Sequence, residues 1–218
     1  MPNTHGHIYV QDTEILVDIW LKSPFYLAEL QKGVVYMRTD TKLKELTLAA
    51  MLTGIAVVIP MLFPKFVIFP PFTATLAAHV PIMIAMCISR KTVAIVGFGS
   101  TIGFYFAFPG LPVVWARVST HMIFAFVGNY MLRKRHNVYF VITITAILHA
   151  VFEMMLVLVP LFYPTQIGLE VAMSLLAFGT LIHHIVDAII TAPIVSLLKK
   201  LNLVPVYDFT LKRKHLKN

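Results

Sequence analysis

Long apolar runs separated by short polar or proline-rich segments dominate the pattern of this chain. Six of these runs have 17 residues or more, and about 17–25 apolar residues are enough for a helix to cross a membrane. They are Leu46–Phe63, Phe72–Ser89, Thr92–Phe108, Leu111–Leu132, Val138–Tyr163 and about Leu169–Leu198. We therefore predict an all-α, polytopic membrane protein with six transmembrane helices.

The composition supports a membrane protein. Of 218 residues, 58% are apolar and only 13% are charged, whereas soluble domains have about 45–50% and about 25%. The single cysteine, Cys87, excludes an internal disulfide and any site built from several thiolates. The formal net charge of +8 does not indicate a nucleic-acid partner, because the basic residues flank the apolar runs, where they set topology. We expect a multi-pass cell-membrane protein in contact with lipid.

The Lys and Arg residues also predict the orientation. With a cytoplasmic N-terminus, 16 of the 18 lie on the cytoplasmic side, Lys65 lies outside and Arg117 lies within the membrane. This bias places both termini in the cytoplasm, in agreement with an even number of crossings. The predicted domains are an N-terminal extension (1–42), a six-helix membrane domain (43–200) and a basic cytoplasmic tail (201–218).

The N-terminal extension fits this picture poorly. It either forms an interfacial amphipathic helix or reflects a start assigned too far upstream, because Met37 directly precedes a basic approach to the first run. Both alternatives stay open, and no function is assigned to this segment.

Ionisable residues inside the apolar runs are the best functional signal. Arg117 costs about 2.5–3.5 kcal/mol on insertion scales, so we expect a compensating partner. Counting from the outer ends of the runs places Arg117, His79, His121 and Glu153 at or above the bilayer midplane, and His149 just past it. Arg117 and His121 are four residues apart, as are His149 and Glu153, so each pair shares a helix face.

We predict that these residues bind a small anionic solute. Arg117 offers a planar, permanently charged fork for a carboxylate. His79, His121, Glu153 and His149 are expected to form hydrogen bonds to the solute, and Trp115 to pack on it. The alternative is that Arg117 and Glu153 form a buried pair that braces two helices.

A second polar group, His183, His184 and Asp187, is expected to lie deeper, towards the cytoplasm. Together with His149 and Glu153 it offers zinc-ligand types, but no H-E-x-x-H motif occurs, and bonding between helices is the preferred interpretation. We therefore predict no metal and no cofactor. No Walker A sequence occurs either, so ATP-driven transport would need a partner subunit.

Small residues mark two candidate helix contacts. Gly99 and Gly103 have the spacing of a close-packing motif between membrane helices. Ala50 and Gly54 in the first run form a similar small face, which serves either partner docking or packing within the protein.

With these features in place, the chain resembles the S components of energy-coupling-factor (ECF) vitamin transporters. The resemblance covers about residues 43–200 and is nearest to the niacin and pantothenate S components. It is carried by the six runs, the small face and the segments FTATLAAHVPIMIAMCIS and VAIVGFGSTIGFYFAFPGLPVVWARVSTHMIFAFVGNYML. It implies one vitamin bound near the outer face under the Pro64–Pro71 loop. It also implies association with a transmembrane T subunit, which would meet Ala50 and Gly54, and with two ATPases. The long N-terminal extension departs from the family.

The predicted function is therefore non-enzymatic binding and uptake of a small water-soluble vitamin, with niacin or pantothenate favoured because both carry a carboxylate. Two alternatives remain. One is a membrane-embedded metal-dependent hydrolase using His149, Glu153, His183 and Asp187. The other is a stand-alone proton-coupled carrier in which Glu153 or Asp187 titrates.

Overall fold

The computed structural model describes residues 24–63, 65–69, 72–156, 158–159, 169–202 and 206–207. The chain divides into two compact units, Met1–Leu43 and Lys44–Asn218. The elements are α1 (Pro24–Leu62), β1 (Lys65–Phe69), β2 (Phe72–Thr75), α2 (Val80–Met86), α3 (Arg90–Ala107), α4 (Pro112–Arg133), α5 (Val138–Leu156) and α6 (Leu169–Lys200). Residues 1–23, most of the basic tail and the prolines of the Pro64–Pro71 loop lie outside the described residues.

The described part of the chain is mostly helical, as predicted. Helices α1, α3, α4, α5 and α6 correspond to five of the six apolar runs. Within the described ranges, three segments are long and apolar enough to cross a membrane by length and composition: Thr41–Leu62, Val138–Leu156 and Leu169–Lys200. The count of six crossings and the side of the termini stay predictions.

The second apolar run is not one helix, and this expectation was wrong. It consists of β2, a turn over residues 76–79 and the seven-residue helix α2. Strands β1 and β2 form an antiparallel hairpin in which Lys65 pairs with Thr75. Pro81 explains the late helix start, because proline fits the first turn of a helix but breaks its interior.

Side chains from two neighbouring helices hold α2 in place. At its N-terminal side, the Asp187 carboxylate accepts hydrogen bonds from the backbone N–H groups of Ala77 (3.0 Å) and His79 (2.9 Å). At its C-terminal side, Asn129 Nδ2 donates to the Met86 carbonyl at 2.8 Å. Isolated helices of this length are not stable, so these bonds and the complete burial of α2 account for its presence in the core.

Helices α1 and α3 pack closely through glycine. A Cβ atom added to Gly103 would lie 2.6 Å from Val57 Cα, and one added to Gly99 would lie 2.2 Å from Thr53 Cγ2. This confirms the close-packing role of the Gly99–Gly103 spacing. Ala50 and Gly54 lie instead on the exposed side of α1, and a Cβ added to Gly54 would meet no described atom within 4 Å.

Candidate functional site

The fold collects polar side chains from four elements into one buried group, which we call the polar cluster. His79 precedes α2, and the other members come from α4, α5 and α6. The members are His79, Arg117, His121, His149, Glu153, His183, His184 and Asp187. All are buried except His183, whose side chain is 14% exposed. The cluster therefore joins the two polar groups that the sequence analysis kept apart.

Glu153 lies at the centre of the polar cluster. Its Oε2 accepts hydrogen bonds from Arg117 Nη2 (2.8 Å) and Thr180 Oγ1 (2.5 Å). Its Oε1 lies 3.2 Å from His149 Nε2 and 3.8 Å from His121 Nε2. The internal Arg117–Glu153 pair considered as an alternative is thus present, and it offsets part of the energetic penalty of burying either charge alone.

A cavity that is partly open to the protein surface lies beside this ion pair. Its walls combine apolar side chains with members of the polar cluster. The lining residues are Thr75, Ala78, His79, Phe104, Val114, Arg117, Val118, His121, Glu153 and His183. Four of the six residues predicted to bind solute therefore line one cavity.

The remaining two predicted residues lie elsewhere. His149 lies behind the cavity wall, where its Nδ1 is 3.3 Å from His184 Nδ1. Trp115 is not among the lining residues; its Nε1 donates to the Phe108 carbonyl at 3.0 Å, and its ring packs on Tyr105. Residues two positions apart on a helix do not face the same side, which explains why Trp115 and Arg117 diverge.

His183 lines the cavity although it was not predicted as a binding residue. Its Nε2 lies 3.0 Å from the Thr75 carbonyl oxygen and 3.2 Å from Asp187 Oδ2, and its ring centre lies 4.5 Å from that of His79. The predicted greater depth of His183 was wrong. Helix α6 has 32 residues and is about 48 Å long, so counting from its first residue overestimates depth. The four-residue spacing of His183 and Asp187 was the available signal.

Imidazole rings connect the two carboxylates of the cluster. His79 Nδ1 lies 3.0 Å from Asp187 Oδ2, and His79 Nε2 lies 3.3 Å from His121 Nε2. Further along, His149 stands between Glu153 and His184, and His184 Nε2 lies 3.1 Å from Thr145 Oγ1. Two ring nitrogens in this network, His79 Nδ1 and His121 Nδ1, have no hydrogen-bond partner among the described residues, and an unsatisfied polar group is costly in an apolar interior.

The comparisons with known proteins now add to this geometry. No family model and no solved structure matches the chain. The chain is 32% identical, over 210 aligned positions, to the niacin transporter NiaX of Lactococcus lactis subsp. cremoris (strain MG1363), covering 89% of this chain and 92% of the relative. An alignment of 89% of the 218 residues contains more residues than the range 43–218, so it includes part of the N-terminal extension.

Identity at this level over nearly the whole of both chains shows common family membership, and the long apolar helices agree with it. The chain is a multi-pass cell-membrane protein that belongs to the S components of ECF vitamin transporters.

Proposed function

We propose that this chain is the substrate-binding subunit for niacin uptake and that it acts without enzymatic activity of its own. The observation that carries this proposal is a buried Arg117 on the wall of a cavity that is partly open to the protein surface. The relative's name, niacin transporter, supports the choice of vitamin. Niacin is a pyridine ring with one carboxylate, so it offers one charged and one aromatic group.

The contacts around Arg117 suggest how the carboxylate is bound. Glu153 Oε2 accepts from Arg117 Nη2 at 2.8 Å, which shows that a carboxylate fits this guanidinium within the bundle. Arginine has five N–H donors, so the vitamin's carboxylate binds Arg117 beside or in place of Glu153. A charge-assisted bond in this buried setting is stronger than one in water.

The rest of the cavity suits a small aromatic ring. Phe104, Val114 and Val118 supply apolar walls, and His79, His121 and His183 supply ring nitrogens. A histidine N–H is a donor for the pyridine nitrogen. Pantothenate shares the carboxylate but lacks the ring, so these walls favour niacin.

The membrane arrangement that we propose keeps six crossings and cytoplasmic termini. The second crossing consists of β2, the turn and α2 rather than one helix. Non-helical backbone is tolerated at membrane depth when it is buried in protein or lines a cavity, and Thr75 at the end of β2 lines this cavity. The connected hairpin thus supports the expectation that the Pro64–Pro71 loop covers the vitamin.

Docking on an ATP-driven module completes the proposal. Ala50 and Gly54 are exposed on α1, and small residues let another membrane helix approach closely. We propose that the T subunit packs on this small face, and that two ATPases bound to the T subunit supply the energy that this chain cannot obtain through a Walker A site.

The test is a calorimetric titration of the purified protein with niacin, nicotinamide and pantothenate. Nicotinamide is the matched ligand, because it keeps the ring and replaces the carboxylate with a neutral amide. We expect saturable binding of one niacin, and nicotinamide affinity lower by about 2–5 kcal/mol, which is at least about 30-fold. Equal affinity for nicotinamide would contradict carboxylate recognition, and binding of pantothenate alone would contradict the vitamin.

A further inference from the structure

Three histidines of the polar cluster have the arrangement of metal ligands. One ring nitrogen each from His79, His121 and His149 lies within 4.8 Å of the others, and all three residues are buried. They come from the α2 entry, α4 and α5, so the sequence spacing gives no hint of the grouping. We propose that these three histidines bind a divalent transition-metal ion through one nitrogen each, and that Glu153 Oε1 supplies the fourth ligand atom, an oxygen.

The distances support a tetrahedral site. Zn–N bonds are about 2.0–2.1 Å long, which places two nitrogens on one tetrahedral ion about 3.3 Å apart. His79 Nε2 and His121 Nε2 are separated by 3.3 Å. Glu153 Oε1 lies 3.2 Å from His149 Nε2 and 3.8 Å from His121 Nε2. The three histidine nitrogens lie within 4.8 Å of one another, so the rings must move closer together to bind one ion.

The neighbours of these histidines are also typical of a metal site. A metal-bound histidine usually directs its other nitrogen to a carboxylate or another polar group, which fixes the ring. His149 Nδ1 lies 3.3 Å from His184 Nδ1, and His79 Nδ1 lies 3.0 Å from Asp187 Oδ2, although His79 Nδ1 and His121 Nδ1 make no hydrogen bond within the described residues. Phe124 packs against the rings of His79, His121 and His149 and limits solvent access from that side.

Charge balance gives a separate reason for a cation. Among the buried described residues, one guanidinium, Arg117, faces two carboxylates, Glu153 and Asp187. With neutral histidines this leaves one net negative charge, which disfavours an anionic vitamin. A divalent ion makes the group net positive, and one bound carboxylate then makes it neutral. This coupling to the vitamin rests on the proposed function, whereas the metal site itself rests on the geometry.

An alternative set of ligand atoms, from His79, His183 and Asp187, also lies within 4.8 Å. Asp187 already accepts hydrogen bonds from the backbone N–H groups of Ala77 and His79. A metal ion bound to Asp187 would compete with the bonds that hold the start of α2. We therefore assign the ion to the set that contains His121 and His149.

Cobalt is the probe for the first experiment, because tetrahedral Co²⁺ absorbs visible light strongly. Purified full-length protein is treated with chelator, dialysed and titrated with Co²⁺, and then with Zn²⁺. We expect one cobalt per chain with a tetrahedral spectrum, displaced by zinc, which binds such sites more tightly. A wild-type protein that takes up no cobalt would overturn the proposal without any variant.

Matched histidine variants locate the ligands. We expect His121→Gln and His149→Gln to weaken cobalt binding at least tenfold, while His183→Gln and His136→Gln keep wild-type affinity. His136 is exposed in the connection between α4 and α5 and controls for adventitious binding. Size-exclusion chromatography identifies any variant that has misfolded. Unchanged cobalt binding in both His121→Gln and His149→Gln would place the ion elsewhere. A loss of cobalt binding in only His183→Gln or His136→Gln would do the same.

A niacin titration of zinc-loaded and chelator-treated protein separates this inference from the proposed function. We expect zinc to raise niacin affinity at least tenfold. Niacin binding in a protein that binds no cobalt would overturn the metal site and leave the proposed function intact. Cobalt binding with the same niacin affinity in both states would overturn the charge coupling alone.

Discussion

The polar cluster and the exposed side of α1 differ in both polarity and burial. The cluster buries three formal charges and four histidines between α2, α4, α5 and α6. The exposed side of α1 presents Ala50 and Gly54 among large apolar side chains such as Met51, Ile55 and Val58. In a membrane, interior polar groups mark solute sites, whereas small exposed residues mark helix contacts. We therefore expect substitutions in the two regions to affect different steps of uptake.

The largest effect on ligand binding is expected from Arg117→Ala. It removes the charge-assisted bond to the vitamin's carboxylate, and loss of such a buried bond costs about 2–5 kcal/mol, or about 30- to 5000-fold in affinity. Niacin calorimetry on the purified variant measures this loss.

The variant also leaves Glu153 without the guanidinium that it contacts at 2.8 Å. Breaking a buried pair costs about 3–5 kcal/mol of stability, so the control is the double variant Arg117→Ala/Glu153→Ala, which removes both charges. We expect the double variant to regain thermal stability but not niacin binding. Wild-type affinity in the double variant would show that the pair is only structural.

The next effect in size is on folding and tests the inner side of α1. In Gly103→Leu the new Cβ would lie 2.6 Å from Val57 Cα, and backbone cannot move aside as a flexible side chain can. Overpacking of this kind costs about 1–3 kcal/mol. We expect a lower midpoint of thermal unfolding in detergent. A wild-type midpoint would contradict close packing of α3 against α1 at Gly103.

Helix positions were the easiest feature to predict from the sequence. Apolar length alone located α3, α4 and α6 to within two residues, because a bilayer imposes a minimum span. Apolar length failed for Phe72–Ser89, because hydropathy alone does not distinguish a strand followed by a turn and a short helix from one long helix. Pro81 in that run was the available warning.

Residue depth predicted part of the site. Counting along helices placed Arg117 and Glu153 both at or above the bilayer midplane, and they form an ion pair. The depth count failed for His183, because a helix longer than the bilayer is thick does not begin at the membrane surface, so its first residue is not a reference point for depth. The contacts of His79 with His121 and Asp187 depend on how the helices cross, and one sequence does not encode these distances in any local pattern.

The smallest effect on the purified protein is expected from Gly54→Leu, on the outer side of α1. The substitution matches Gly103→Leu in chemistry, but a Cβ at Gly54 meets no described atom within 4 Å. Niacin affinity and the unfolding midpoint should therefore remain at wild-type values. Uptake by cells that express the variant with the ECF module should be lost, because leucine keeps the T subunit helix from approaching α1. Intact uptake would mean that the partner binds another surface, and a lower unfolding midpoint would mean that Gly54 packs within this chain.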